Sequence, residues 1–137
     1  MTTPTRVRVV CIEDDPEIMH LVKIILSREN YEVISANSGI EGLHAVEDNH
    51  PDIVLLDLML PGMDGWEVYQ RIKANPELTH IPVIVVTAKA QNIDKVLALR
   101  VAKVDGYVTK PFVPVELLDM LRTVLAAQDT NSKPSEE

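Results

Sequence analysis

Apolar positions along the chain fall into two alternating patterns. Short β-branched runs occur at "VRVVCI" (7–12), "YEVISA" (31–36), "DIVLLD" (52–57), "IPVIVVT" (81–87) and "DGYVTK" (105–110). Most of these are continuously apolar, as expected of parallel strands covered on both faces. The run from Tyr31 to Ala36 alternates instead and reads as a strand nearer the sheet edge. Between the runs the spacing is helical. Ile18, Leu21, Val22 and Ile25 share one face behind an Asp15–Pro16 start, which supplies an N-cap and a first-turn proline. Ser38 and Glu41 have capping-box spacing ahead of Leu43 and Val46. A third helix begins near Asp64 and carries Val68, Tyr69 and Ile72 on one side. Ile93, Val96, Leu97 and Arg100 predict a fourth, and Leu117, Leu118, Leu121, Val124 and Leu125 a fifth with a clear apolar stripe. The closing run 128–137 has no periodicity and reads as a disordered tail, leaving 1–127 as one domain.

Strands that alternate with helices predict an α/β fold with a parallel sheet and right-handed crossovers. In such sheets ligands bind beyond the carboxyl ends of the strands. Glu13, Asp14 and Asp15 follow the first strand, and Asp57 ends the third. Thr87 ends the fourth, and Lys110 ends the fifth ahead of Pro111 and Phe112. Singly, each has an ordinary explanation as a helix cap, a turn residue or a solvated charge. Together they bring carboxylates, a hydroxyl and an ammonium to one edge of the sheet. Carboxylates packed that closely repel by about 1 kcal/mol per pair in water and about 4 near a protein surface. A hard divalent cation relieves that repulsion, and Mg²⁺ commonly uses one or two carboxylates with waters and phosphate oxygens. Lys binds phosphate as a point charge, and aspartate forms acyl phosphates. These are the parts of a phosphoryl-transfer site.

Overall composition narrows the classes further. At 137 residues, 46% hydrophobic and 25% charged, the chain has the make-up of one globular domain. A net charge of −8 is the wrong sign for direct nucleic-acid binding. No apolar run approaches the ~20 residues of a membrane helix, and no signal peptide opens the chain, so the expected location is cytoplasmic. Cys11, the single cysteine, reads as a small buried hydrophobe. His20, His44, His50 and His80 share no metal-ligand spacing and read as surface or capping residues.

The motifs "CIEDDP", "LLDLMLPGMDG", "VVTA" and "YVTKPF", in this order, resemble the receiver domain of bacterial two-component response regulators. The resemblance spans about residues 6–127 and extends to stand-alone receivers of the chemotaxis type. It implies a flavodoxin-like, doubly wound five-stranded sheet of order 2-1-3-4-5 flanked by five helices. It implies Asp57 as phospho-acceptor, with Thr87 and Lys110 as the groups that bind the phosphoryl oxygens. Mg²⁺ would be held by Glu13, Asp14, Asp57 and the backbone carbonyl of Met59. Thr87 and Tyr107 would form the switch, and Lys110–Pro111 would be cis. The implied phosphodonor is a sensor histidine kinase or a histidine phosphotransfer protein, and the implied output is contact with a downstream protein. Such a domain is not an enzyme in the usual sense; it catalyses phosphoryl transfer to its own aspartate and the hydrolysis that resets it.

This chain departs from the family where a Gly-Ala-rich turn is usual, having Val101, Ala102, Lys103 and Val104. Two rival readings remain. A phosphatase of the haloacid dehalogenase type also uses an aspartate nucleophile, but its motif needs a second Asp where this chain has Met59. A phosphorylation-independent docking module usually loses an acidic, Thr or Lys position, and none is lost here. After the fifth helix there is no length for an output domain, which fits either a stand-alone receiver or a piece of a larger regulator.

Overall fold

A computed structural model describes residues 6–88 and 104–132, with the side chains of 87, 88 and 129–132 outside that description. Five parallel strands, β1 (Val7–Ile12), β2 (Tyr31–Ala36), β3 (Ile53–Asp57), β4 (Val83–Ala88) and β5 (Gly106–Lys110), form one sheet. Their order is β2-β1-β3-β4-β5, as expected. Four helices are described: α1 (Pro16–Ser27), α2 (Gly39–Asn49), α3 (Gly65–Ala74) and α4 (Pro114–Ser132). The helix expected around Ile93–Arg100 lies outside the described residues.

Two apolar layers explain the unbroken hydrophobicity of the central strands. Val9 and Cys11 of β1, Ile53 and Leu55 of β3, and Ile84 and Val86 of β4 face one layer, with Val22 and Leu26 of α1 and Leu117 and Leu121 of α4. The alternate residues Val10 and Ile12, Val54 and Leu56, and Val83 and Val85 face the other, with Val46 of α2 and Val68 and Ile72 of α3. The side chains of residues 9–12 of β1, of all of β3 and of residues 83–86 of β4 are therefore buried, at about 1.5–3 kcal/mol for each large aliphatic. β2 lies at an edge with Glu32 and Ser35 exposed, which accounts for its alternation.

Local caps set where the helices start. Asp15 Oδ1 accepts from the amides of Glu17 and Ile18. Ser38 Oγ accepts from Glu41, while Glu41 Oε1 reaches back to the Asn37 amide, one residue earlier than a standard capping box. Asp64 accepts from the Trp66 amide, and Trp66 packs edge-to-face on Tyr69 with centroids 6.0 Å apart. α4 runs to Ser132, past the boundary expected at residue 127; the Gln128 side-chain Nε2 donates to the His80 carbonyl at 2.8 Å and ties this part of the helix to the loop before β4.

One clamp at the amino end of the sheet has no linear signature. Lys73 Nζ donates to the carbonyls of Thr79 and Ile81 at 3.2 and 2.8 Å and pairs with Asp105 at 3.4 Å. Asp105 also accepts from the Val83 amide at 2.7 Å, joining the starts of β4 and β5.

His50 closes α2 in the left-handed region, at φ 44° and ψ 63°. A β-carbon is unfavourable there, and glycine is the residue that avoids the penalty. His50→Gly is expected to stabilise the protein by about 0.5–1 kcal/mol, read as a higher urea midpoint with an unchanged m-value.

Candidate functional site

The carboxyl ends of β1 and β3 adjoin, with Ile12 in register with Leu56, so Glu13 and Asp57 emerge side by side. Both are only 3% exposed, whereas Asp14 is open to solvent. One oxygen from each of Glu13, Asp14 and Asp57 lies within 4.8 Å of the others. From β5, Lys110 Nζ reaches Glu13 Oε1 at 2.9 Å and Asp57 Oδ2 at 3.0 Å. The second oxygen of each buried carboxylate takes a backbone donor: Asp15 N–H to Glu13 Oε2 at 3.1 Å, and Met59 N–H to Asp57 Oδ1 at 2.9 Å. Neither buried carboxylate is left without donors, which is the condition for keeping such groups in a fold.

Three consecutive acids thus take three roles. Glu13 is buried against Lys110, Asp14 stands at the open side of the cluster, and Asp15 caps α1. The Asp15 cap agrees with the Asp15–Pro16 reading of the sequence, whereas the burial of Glu13 beside an exposed Asp14 is set by the packing.

Thr87 follows Val86, the β4 residue paired with Asp57, and is itself paired with Thr109 of β5. Its side chain lies outside the described residues. Tyr107 is paired with Val85, half-buried, and packs on the α2/α3 layer. The Lys110–Pro111 bond is cis. Met59 is 58% exposed and, with Asp14, Pro61 and Asp64, lines an open groove beside the cluster. Cys11 is buried, and burial, with the charges of Glu13 and Asp57 adding to it, pushes its thiol up to about 12.

Gly65 was not singled out by sequence reasoning beyond its place near a helix start. An added Cβ there would lie 2.5 Å from Leu58 Cα and 2.7 Å from the Asp57 carbonyl oxygen. The helix α3 therefore begins in direct backbone contact with the residue that carries the buried carboxylate, and Gly62 turns the intervening loop at φ 85°.

Hard oxygen donors, closely spaced, with one member open to water, suit Mg²⁺ better than softer metals. In the metal-free protein the electrostatics are balanced differently. Burial pushes Glu13 up to about 7, with the Asp57 charge adding to the rise and the Lys110 hydrogen bond opposing it. For Lys110 burial acts downward, but its bonds to Glu13 and Asp57 outweigh this and raise it.

A family model described as the response regulator receiver domain matches residues 9–122. The transcriptional regulatory protein CseB of Streptomyces avermitilis is 40% identical over 133 residues, which cover 94% of this chain and 55% of that protein. The DNA-binding response regulator MtrA of Mycolicibacterium smegmatis is 38% identical over 120 residues, 88% of this chain and 51% of that protein. The chain therefore spans about half the length of these curated relatives. A solved receiver domain of a sensor histidine kinase from Pseudomonas aeruginosa PAO1, with a magnesium ion coordinated in its active-site cleft, superposes with a TM-score of 0.80 at 27% identity. That likeness covers 88% of this chain and 98% of the other.

Two outcomes follow from the geometry. A Glu13 value raised from 4.5 to about 7 means the folded protein binds that proton more tightly than the unfolded chain does. Its contribution to stability is present at low pH and is lost as pH rises through about 7. In EDTA, Glu13→Gln should gain on the parent by on the order of 1–3 kcal/mol between pH 5 and pH 8, measured by urea unfolding. Gly65→Ala is expected to cost about 2 kcal/mol or more, because a backbone contact cannot yield as a side chain can. A Tm within a degree of the parent's would contradict it.

Proposed function

Because the chain belongs to the response regulator receiver domain family, we propose that it is a phospho-acceptor switch in which Asp57 takes a phosphoryl group from a sensor histidine kinase or a histidine phosphotransfer protein. The observation that carries this reading is the treatment of Asp57. Its carboxylate is buried, yet it sits beside the open groove and has Lys110 on one oxygen and the Met59 amide on the other.

In the proposed reaction an Asp57 oxygen forms a bond to phosphorus as the P–N bond to the donor imidazole breaks, its electron pair leaving with the nitrogen. Glu13, Asp14, Asp57 and the Met59 carbonyl would hold Mg²⁺. When bound, Mg²⁺ supplies the positive charge that offsets a phosphoryl dianion arriving among carboxylates. Lys110 exchanges its carboxylate partner for a phosphoryl oxygen, and Thr87 donates its hydroxyl to another. Water then attacks phosphorus, the acyl phosphate P–O bond breaks, and inorganic phosphate leaves.

The switch follows from charge. Phosphorylation adds about −1.5 to −2 to a pocket that holds three carboxylates and one ammonium. Lys110 and Thr87 are drawn to the new group, Tyr107 on β5 follows the movement of Thr87, and the altered surface controls a downstream protein. With a net charge of −8 the domain has no basic footprint for nucleic acid, so its readout is protein contact. Among the described residues no helix is long and apolar enough to cross a membrane.

Acetyl phosphate with Mg²⁺ should add one phosphoryl group per chain, detected by intact mass, and Asp57→Asn should abolish the addition. Thr87→Ala should still accept the group but lose the accompanying movement of Tyr107, read as a change in its ring NMR signals. Equal phosphorylation of Asp57→Asn would sink the assignment.

A further inference from the structure

We infer that the Met59 thioether is a modification site, oxidised to the sulfoxide by a peroxide, and that this oxidation shortens the life of the phosphorylated state. The inference rests on reading Asp57 as the phospho-acceptor. Met59 is 58% exposed and is the one exposed methionine among the described residues; Met19 is buried, and Met63 and Met120 are half-buried. Oxidation of a thioether follows its access to the oxidant. Cys11, the single cysteine, does not compete: it is buried with its thiol pushed up to about 12, and the thiolate is the reactive form.

Position gives this exposure a consequence for Asp57. The Met59 amide donates to Asp57 Oδ1 at 2.9 Å, so the thioether branches from the residue whose backbone already holds the acceptor. Its side chain lines the open groove beside the cluster, between the acids Asp14 and Asp64, while the flanking Leu58 and Leu60 are buried. In the oxidation the sulfur lone pair bonds to one peroxide oxygen as the O–O bond breaks. The hydroxide released takes the proton from the new S–OH, leaving the sulfoxide and water; sulfur is oxidised as the peroxide is reduced. A flexible apolar side chain thereby becomes polar. The sulfoxide oxygen accepts hydrogen bonds and draws water into a groove whose wall was apolar. Water is the reactant that resets the phosphorylated state, so hydration of the groove speeds loss of the phosphoryl group. The Met59 amide and carbonyl are unaltered, and uptake of the group continues. A peroxide thus shortens the signal rather than preventing it.

The test begins with protein treated with hydrogen peroxide, desalted, digested and mapped by mass. The added oxygen should appear on Met59 before Met19, Met63 or Met120. Treated and untreated samples are then phosphorylated with acetyl phosphate and Mg²⁺, freed of the donor and followed by intact mass. Oxidised wild type should lose its phosphoryl group severalfold faster, and methionine sulfoxide reductase should restore the slower rate. Met59→Leu should decay at one rate with and without peroxide. Prior oxidation of a buried or half-buried methionine, an unchanged decay after full oxidation of Met59, or a peroxide effect that survives in Met59→Leu overturns the inference and leaves Asp57 standing. Untreated wild type that takes up no phosphoryl group overturns both. Should Met59→Leu fail to fold, the reductase arm decides on wild type alone, and a fast decay that persists after reduction of Met59 overturns the inference.

Discussion

Two carboxylates withdrawn from water and held by one ammonium are the constraint on which the rest of this structure depends. Glu13 and Asp57 are each 3% exposed, and neither could be kept there unpaired. The sheet order supplies the solution. β1 and β3 are neighbours, so the two acids emerge together, while β5 lies two strands from β3. Two strand spacings amount to roughly 10 Å, a gap that a long side chain can close across the end of β4. Lys110 does so, and its position at the end of β5 is as much a requirement of the fold as of the chemistry.

The surroundings hold that arrangement rigid. Every residue of β3 is buried, so its end cannot slide without turning an apolar face toward the wrong layer. Gly65 lets α3 start against the backbone of Asp57 and Leu58, and Gly62 supplies the turn between them. Asp15 anchors α1 two residues after Glu13, and its amide completes the Glu13 hydrogen bonds. Stability and reactivity are therefore set by the same few contacts. Burial keeps the Glu13 carboxyl raised, with the Asp57 charge adding to it, and the Lys110 hydrogen bond offsets only part of this.

Much of this was legible along the chain. Continuous apolar runs identified the central strands because both faces are covered, and the alternation of Tyr31–Ala36 marked an edge because only part of that strand is. The Asp15 and Ser38 caps were readable because capping is a contact between residues two or three apart. The Lys73–Asp105 clamp was not readable, since its partners are 32 positions apart and neither carries a distinguishing neighbour. The start of α3 on β3 was equally hidden: a glycine after Asp64 looks like any helix-start residue until a second backbone is brought against it.

By itself the sequence determined the alternation of strands and helices, the placement of acids, hydroxyl and lysine at strand ends, and the order of motifs that marks the family. These depend on periodicity and on neighbours close in the chain, both of which a linear pattern records. Only the tertiary structure decided that Glu13 is buried while Asp14 beside it stays in solvent. It also decided that Lys110 joins Glu13 and Asp57 at once. Those outcomes turn on distances between strands and on the exclusion of water, and neither exists until the sheet has formed and the helices have closed over it.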